Sequence, residues 1–195
     1  MALHLAFEKS TDSMLKKLVK ILAGPYVHVE MIVTQVEFNH RVGPTATLRH
    51  TAYTAFMEEP FARIEQRDFA YGDDTHDFLS LSVSPDELHR IRTACEACVQ
   101  SKIPYNTTDM IFSQLPLRSP TERDLYHCKA LFCSQAMVLM LRSCLDHDHE
   151  LQGPLATVNS RTVSPSRLHE VLKPYSMSRI KAQVVHTVYN PSVHF

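Results

Sequence analysis

The chain has 195 residues, near the usual size of one folded domain, and its 44% hydrophobic and 21% charged residues exclude a disordered or fibrous protein. Its 20 basic and 21 acidic side chains leave a net charge of -1, so we expect no general attraction to nucleic acid or anionic lipid. No apolar stretch approaches the ~20 residues of a membrane span, and the start lacks a signal peptide. These features predict a single cytoplasmic domain over residues 1–195, without an integral membrane segment.

The first part of the chain predicts a short strand, then a helix, and then a pair of longer strands. Leu3–Phe7 predicts a short strand, and Ser10–Asp12 supplies capping residues for a helix that continues to Leu22. Val27–Val33 alternates apolar and polar residues, which indicates a strand with one buried face and with His28 near its beginning. Thr45–Phe56 is rich in β-formers and predicts a second strand, antiparallel to the first.

The middle of the chain predicts an irregular stretch followed by a strand and a helix. Residues 61–77 are polar and irregular, whereas Phe78–Val83 resumes an extended pattern. Ser84-Pro-Asp-Glu then has the form of a capping box with proline at the first helical position. A helix should therefore run from there to about Lys102.

The second half is dominated by an apolar run, Leu131–Leu141, whose hydrophobic residues cover almost every side of a helix. Such a helix must be central to the fold. After it, Asp146–Glu150 predicts a solvated loop, Ser164-Pro165 starts a short helix, and Gln183–Tyr189 predicts a closing strand.

Five cysteines are an odd number without the spacing of a disulfide scaffold, so we expect reduced thiols. Cys95 and Cys98 form a Cys-x-x-Cys pair, yet both fall on the apolar stripe of the Ser84 helix. Because no second pair completes a zinc site, we expect them to be core residues. The sequence predicts no metal and no cofactor.

Cys133 lies where the central helix should begin, which is a position that favours chemistry at sulfur. Unpaired backbone N–H groups and a partial positive charge there stabilise a thiolate, and the same groups can hold an oxyanion. His28 is the candidate base, because an imidazole is suited to exchanging the thiol proton. The alternative is that Cys133 is a small core residue and that His28 is structural.

Three short motifs, in their order, resemble the circularly permuted NlpC-like branch of the papain fold. They are Gly24-Pro-Tyr-Val-His-Val-Glu-Met-Ile-Val, Ile103-Pro-Tyr-Asn and Phe132-Cys-Ser-Gln-Ala. Ordinary papain-like enzymes place cysteine before histidine, whereas in this branch the histidine strand comes first, as it does here. The likeness runs from about Phe7 to Val188. Such proteins occur in some poxviruses and bacteria, and lecithin retinol acyltransferases are distant relatives.

The resemblance also implies further site residues. In such families a third polar residue on the following strand orients the imidazole. The best-fitting position here is Thr54, with His50 and Glu58 as the other candidates. A threonine can orient the ring but does little to stabilise an imidazolium, which favours weak activity. Tyr105 and Ser134 are expected beside the substrate, although a tyrosine such as Tyr105 is equally often a packing residue.

The resemblance implies an α+β papain-like fold, with a small antiparallel sheet or half-barrel packed on a central helix. It implies a cysteine hydrolase of peptidase or amidase type, acting on a peptide, amide or acyl-ester substrate without a cofactor. A thiol acyltransferase or lipid-ester hydrolase is one alternative. A catalytically weak or inactive viral accessory protein, which binds with the same fold, is another. The oligomeric state stays open.

Overall fold

A five-stranded antiparallel sheet is the central feature of the computed structural model, which describes residues 2–9, 24–39, 45–55, 60–65, 75–112, 125 and 129–177. The strands lie in the order β4-β3-β2-β1-β5. Each neighbouring pair is antiparallel. The bounds are β1 Ala2–Glu8, β2 His28–Asn39, β3 Thr45–Thr54, β4 Ala62–Glu65 and β5 His76–Ser82.

Several helices accompany the sheet, so the described chain is α+β, as the sequence predicts. The helices are α1 Pro85–Gln100, α2 Thr107–Phe112, α3 Cys133–Cys144, α4 Gln152–Ala156 and α5 Pro165–Leu172, and a 3-10 turn follows at Lys173–Tyr175. Among the described residues, no helix combines the length and apolar character that crossing a bilayer requires.

The capping box predicted for α1 is present in both directions. Ser84 Oγ accepts the Glu87 N–H at 3.1 Å, and the Glu87 carboxylate accepts the Ser84 N–H at 2.7 Å. The helix that the sequence predicts after Ser10 and the strand predicted at Gln183–Tyr189 lie outside the described residues.

Two elements were not expected. β4 lies within the stretch predicted to be irregular, and its four residues form a strand because they pair with the end of β3, from Thr51↔Glu65 to Thr54↔Ala62. α2 follows directly on Asn106, whose side-chain oxygen accepts the Asp109 N–H at 2.9 Å, as a capping residue does. This six-residue helix therefore begins with one local cap.

The hydrophobic core lies between one face of the sheet and helices α1 and α3. α3 is buried along almost its whole length, so the prediction of a central helix is confirmed. Cys95 and Cys98 are core residues, as the apolar stripe of α1 predicts. The sheet residues that face this core are Leu3, Leu5, Phe7, Val29, Met31, Val33, Tyr53, Leu79 and Leu81.

The opposite face of the sheet combines a small apolar cluster with buried histidines. Ala6, Ile32 and Ala52 form the cluster. His4 Nδ1 lies 2.9 Å from Ser80 Oγ. His50 Nδ1 lies 2.8 Å from Thr34 Oγ1, while its Nε2 is buried and has no hydrogen-bond partner within the described part of the chain. Burial lowers the pKa of both histidines, and mutual repulsion lowers that of His4 further.

These histidines predict that the protein loses stability in mild acid. Their folded-state pKa values lie below the ordinary 6.5, so the unfolded chain binds more protons once the pH falls below about 6.5. The contribution of these two neutral histidines to the free energy of unfolding should be complete above that pH and should be lost progressively below it. Urea unfolding at about pH 7.5 and about pH 5.5 should show a weaker pH dependence in a His4→Gln/His50→Gln variant than in the wild type. The exposed His147→Gln control should keep the wild-type dependence; equal slopes in all three proteins would contradict the prediction.

α1 ends in a left-handed residue that is not glycine. Lys102 has φ +47°, and its N–H donates to the Val99 carbonyl at 3.1 Å. The Ile103 N–H donates to the Cys98 carbonyl at 3.3 Å. These two bonds form a Schellman motif, in which glycine normally occupies the left-handed position.

Replacing this residue by glycine should stabilise the protein. Lys102→Gly relieves the steric cost of a left-handed Cβ, and we expect the free energy of unfolding to rise by about 0.5–1 kcal/mol. The matched control is Ser101→Gly, because Ser101 precedes it in right-handed conformation with φ -75°. That control should lower stability by a few tenths of a kcal/mol. Chemical denaturation measures both, and a stabilising Ser101→Gly or a destabilising Lys102→Gly would refute this reading of the cap.

The outer edge of β5 takes up the chain that follows the 3-10 turn. The Met177 N–H donates to the Ser80 carbonyl at 2.8 Å, and the Ser80 N–H donates to Ser176 Oγ at 3.1 Å. The end of the described chain is thereby held against the sheet.

Candidate active site

The first turn of α3 presents Cys133. Phe132 precedes it in extended conformation, and the Ala136 N–H makes the first backbone bond of the helix, to the Phe132 carbonyl at 2.9 Å. The N–H groups of Cys133 and Ser134 come before this bond and need acceptors outside the helix ladder. The Phe132 N–H donates to the side-chain oxygen of Gln135 at 3.4 Å.

The start of β2 lies directly against the Cys133 sulfur. The backbone N–H groups of Val29, Cys133 and Ser134 lie close enough to this sulfur to act to lower its pKa. Val29 is the residue immediately after His28, which begins β2. The fold therefore brings the Cys133 sulfur near the residue that follows His28 in the chain, although the two segments are far apart in sequence.

Burial determines the protonation state of this thiol. Cys133 is 3% exposed, and desolvation raises its pKa to about 11, even though the surrounding N–H groups act to lower it. The expectation that the helix N-terminus favours the thiolate is therefore wrong for the resting protein. The reason is that loss of hydration destabilises the thiolate by more free energy than the nearby N–H groups stabilise it.

His28 is bonded to the third residue that the sequence predicts. Thr54 Oγ1 lies 2.8 Å from His28 Nε2, and Thr54 is fully buried at the end of β3. Of the other two candidates, His50 bonds Thr34 through Nδ1, and Glu58 lies outside the described residues. With Nε2 directed at Thr54, Nδ1 is the ring nitrogen suited to exchanging a proton with a thiol.

Tyr105 is held near the start of α3 by its backbone. Its segment pairs with the residue that leads into α3, because the Leu131 N–H donates to the Pro104 carbonyl and the Asn106 N–H donates to the Leu131 carbonyl, both at 3.0 Å. Burial raises the pKa of Tyr105, and the nearby charge of a Cys133 thiolate raises it further. The Tyr105 hydroxyl therefore stays protonated at neutral pH and can act as a donor.

Ser134 has a different position from the one expected of a substrate-binding residue. It is fully buried, and its hydroxyl donates to the Val163 carbonyl at 2.7 Å. That hydroxyl is also close to the sulfur, but it has a single proton, which the Val163 bond already uses. The Ser134 hydroxyl thus links the first turn of α3 to the loop before α5. Only the backbone N–H of Ser134 remains to interact with the Cys133 sulfur.

An ion pair holds this loop to the Tyr105 side of the site. The Arg161 guanidinium makes two bonds of 2.8 Å to the Asp109 carboxylate, which also accepts the Asn106 side-chain amide at 2.9 Å. Sequence reasoning missed this bidentate pair and the backbone donor of Val29. Neither has a local pattern that could have revealed it, since both join segments distant in sequence.

The described residues include no cluster of three or more His, Cys, Asp or Glu side chains arranged to hold a metal ion. Comparison with known proteins identifies no relative: no family model matches the chain, and neither a curated protein nor a solved structure matches it.

The Thr54–His28 bond predicts a specific tautomer and a measurable contribution to stability. If His28 is to accept a proton at Nδ1, its Nε2 must carry hydrogen and donate to Thr54. Thr54→Val keeps the shape of the side chain but removes the acceptor, and should cost about 1 kcal/mol of unfolding free energy.

The Thr54→Ser control retains a hydroxyl and should keep most of this stability. Nitrogen chemical shifts of the His28 ring should report the Nε2-protonated form in the wild type and a mixture of tautomers in Thr54→Val. A wild-type ring protonated at Nδ1 alone would contradict this assignment.

Proposed function

We propose that this chain is a papain-like cysteine hydrolase of peptidase or amidase type, with Cys133 as nucleophile and His28 as base. The observation that supports the proposal is that the Val29 N–H acts on the Cys133 sulfur while the preceding residue, His28, is hydrogen-bonded to Thr54 at 2.8 Å. The order of the elements, with the histidine strand early and the cysteine helix late, supports a circularly permuted form of the papain fold.

The chemistry begins from a neutral pair, because burial keeps the thiol protonated at rest. As the Cys133 sulfur attacks an acyl carbonyl, its proton passes to His28, and the carbonyl oxygen gains the negative charge. Backbone N–H groups at the start of α3 and the Tyr105 hydroxyl are donors near this point. They are the groups available to stabilise the oxyanion.

The rest of the cycle returns the thiol. Protonated His28 gives its proton to the leaving amine or alcohol as the bond to the acyl carbon breaks, which leaves a thioester on Cys133. His28 then takes a proton from water, the hydroxide adds to the thioester, and the acid departs as Cys133 recovers its proton. If an amine or alcohol replaces this water, the same two residues catalyse acyl transfer.

A non-catalytic binding protein is the second candidate. It is favoured by the 3% exposure of Cys133 and by the rise of its pKa to about 11, both of which hinder attack on a substrate. The neutral Thr54 in place of an acid favours it too. The two candidates differ in whether His28 activates the thiol.

The chain contains an internal reference thiol for a labelling experiment. Burial also raises the pKa of Cys144 to about 11, and this residue lies at the opposite end of α3 from Cys133. If His28 activates Cys133, iodoacetamide should label Cys133 about tenfold or more faster than Cys144 near pH 7. His28→Asn should reduce the Cys133 rate to that of Cys144. Peptide mapping by mass spectrometry measures both rates in one sample.

Equal and slow labelling of the two thiols, appearing only above about pH 8, would contradict the hydrolase and favour the binding protein instead. An activated acyl ester such as p-nitrophenyl acetate then tests turnover, with Cys133→Ser as the inactive control. Product analysis with an added amine separates a hydrolase, which releases the free acid, from an acyltransferase, which forms the amide.

A further inference from the structure

Residues 24–27 form the segment that leads into β2, and we call it the entry segment. It begins at Gly24, which has φ +96°, a left-handed conformation that strains other residues. A Cβ atom at this position would lie 2.8 Å from Ser166 Oγ, so α5 could not approach as closely as it does. The entry segment and the first turn of α5 are therefore in direct contact.

Ser166 fixes the backbone of this segment. It is the second residue of α5, is buried, and accepts the Tyr26 N–H on its Oγ at 3.1 Å. The next N–H, that of Val27, donates to the Glu8 carbonyl on β1 at 2.9 Å. Two successive peptide groups immediately before His28 are thus held, one by α5 and one by the sheet.

Asp77 fixes the side chain of the same segment. The Tyr26 hydroxyl donates a hydrogen bond to the Asp77 carboxylate on β5. Lys9 Nζ contacts the other oxygen of this carboxylate at 2.9 Å. Although burial raises the pKa of Asp77, the bonds from Tyr26 and Lys9 outweigh it and hold the pKa below its ordinary value. The acceptor is therefore ionised at neutral pH.

The Tyr26 ring is packed as well as bonded. Its centroid lies 5.5 Å from that of Phe7 and 4.5 Å from that of His169, which is buried on α5. His169 Nε2 lies 3.4 Å from the Tyr26 hydroxyl oxygen. Within the described part of the chain, the charged or titratable groups bonded to this hydroxyl or to its acceptor are Asp77, Lys9 and His169, and none of them belongs to the site at Cys133.

We infer that Ser166 and Asp77 are positioning residues for His28, which they hold through the backbone and the hydroxyl of Tyr26. The inference rests on the proposed function, since it gives these contacts a role in placing the base next to the Cys133 sulfur. A rotation of the entry segment would displace His28 and Val29 together, because both follow it directly on β2. Under the proposed function, the Val29 N–H and the base would then be displaced relative to the sulfur at the same time.

Ser84 provides a matched control for Ser166. Each serine accepts a backbone N–H on its Oγ at 3.1 Å near the start of a helix, but Ser84 lies at α1. Ser166→Ala should reduce the rate of Cys133 labelling near pH 7 by about tenfold, whereas Ser84→Ala should leave it within about twofold of the wild type. Chemical denaturation of both variants checks that similar losses of stability accompany these different rates.

Tyr26→Phe is the second variant, because it keeps the ring packing and removes only the hydroxyl, with its bond to Asp77 and its contact with His169 Nε2. It should also slow Cys133 labelling. In both Ser166→Ala and Tyr26→Phe, the NMR signals of the His28 ring nitrogens should shift relative to those in Ser84→Ala. If Ser166→Ala does not fold, Tyr26→Phe alone decides. Unchanged His28 signals and unchanged labelling in the variants that fold would overturn the inference.

The experiment separates this inference from the proposed function. If His28→Asn has no effect on Cys133 labelling, the proposed function fails, whatever the positioning variants do. The positioning of His28 is still tested in that case, because its ring signals are read without any reaction. If His28→Asn slows labelling but Ser166→Ala and Tyr26→Phe do not, the base is real and the positioning role is wrong.

Discussion

The burial of α3 against the start of β2 is the constraint on which the rest of this site depends. A buried helix must find acceptors for its first N–H groups, and a buried strand must do the same for its peptide groups. At this junction the N–H groups of Val29, Cys133 and Ser134 all lie close enough to one sulfur atom to act to lower its pKa. Packing and hydrogen-bond satisfaction thus place the thiol without any charged residue of the site taking part.

The same burial determines the chemical character of the thiol. Three N–H groups favour the anion, but the missing hydration outweighs them and the pKa rises to about 11. A preformed thiolate-imidazolium pair is therefore not the resting state, and Thr54, being neutral, adds no charge that would stabilise one. In the proposed hydrolase, reactivity would have to come from proton transfer during attack, which would make the location of the His28 ring more important than it is for an ionised thiol.

Local sequence rules predicted those elements whose signals are local. The reciprocal bonds of Ser84 and Glu87 start α1 as the capping box predicts, and the alternation around His28 gives β2. The same rules failed where distant segments decide the outcome. β4 forms because it pairs with β3. The expectation of a lowered Cys133 pKa is wrong because a position at a helix N-terminus does not reveal how deeply the thiol is buried. The choice of Thr54 relied on a family pattern, and its bond to His28 depends on how β2 and β3 are placed.

The way β5 is covered has a consequence for how molecules of this protein behave toward one another. An uncovered outermost strand offers its peptide groups to any other extended chain, which is a common route to unwanted association. Here the N–H of Ser80 is already bonded to Ser176, and the carbonyl of Ser80 is already bonded to Met177. This tether blocks the middle of that strand as a template for intermolecular pairing, so removal of the residues after the 3-10 turn would make the protein more prone to aggregate.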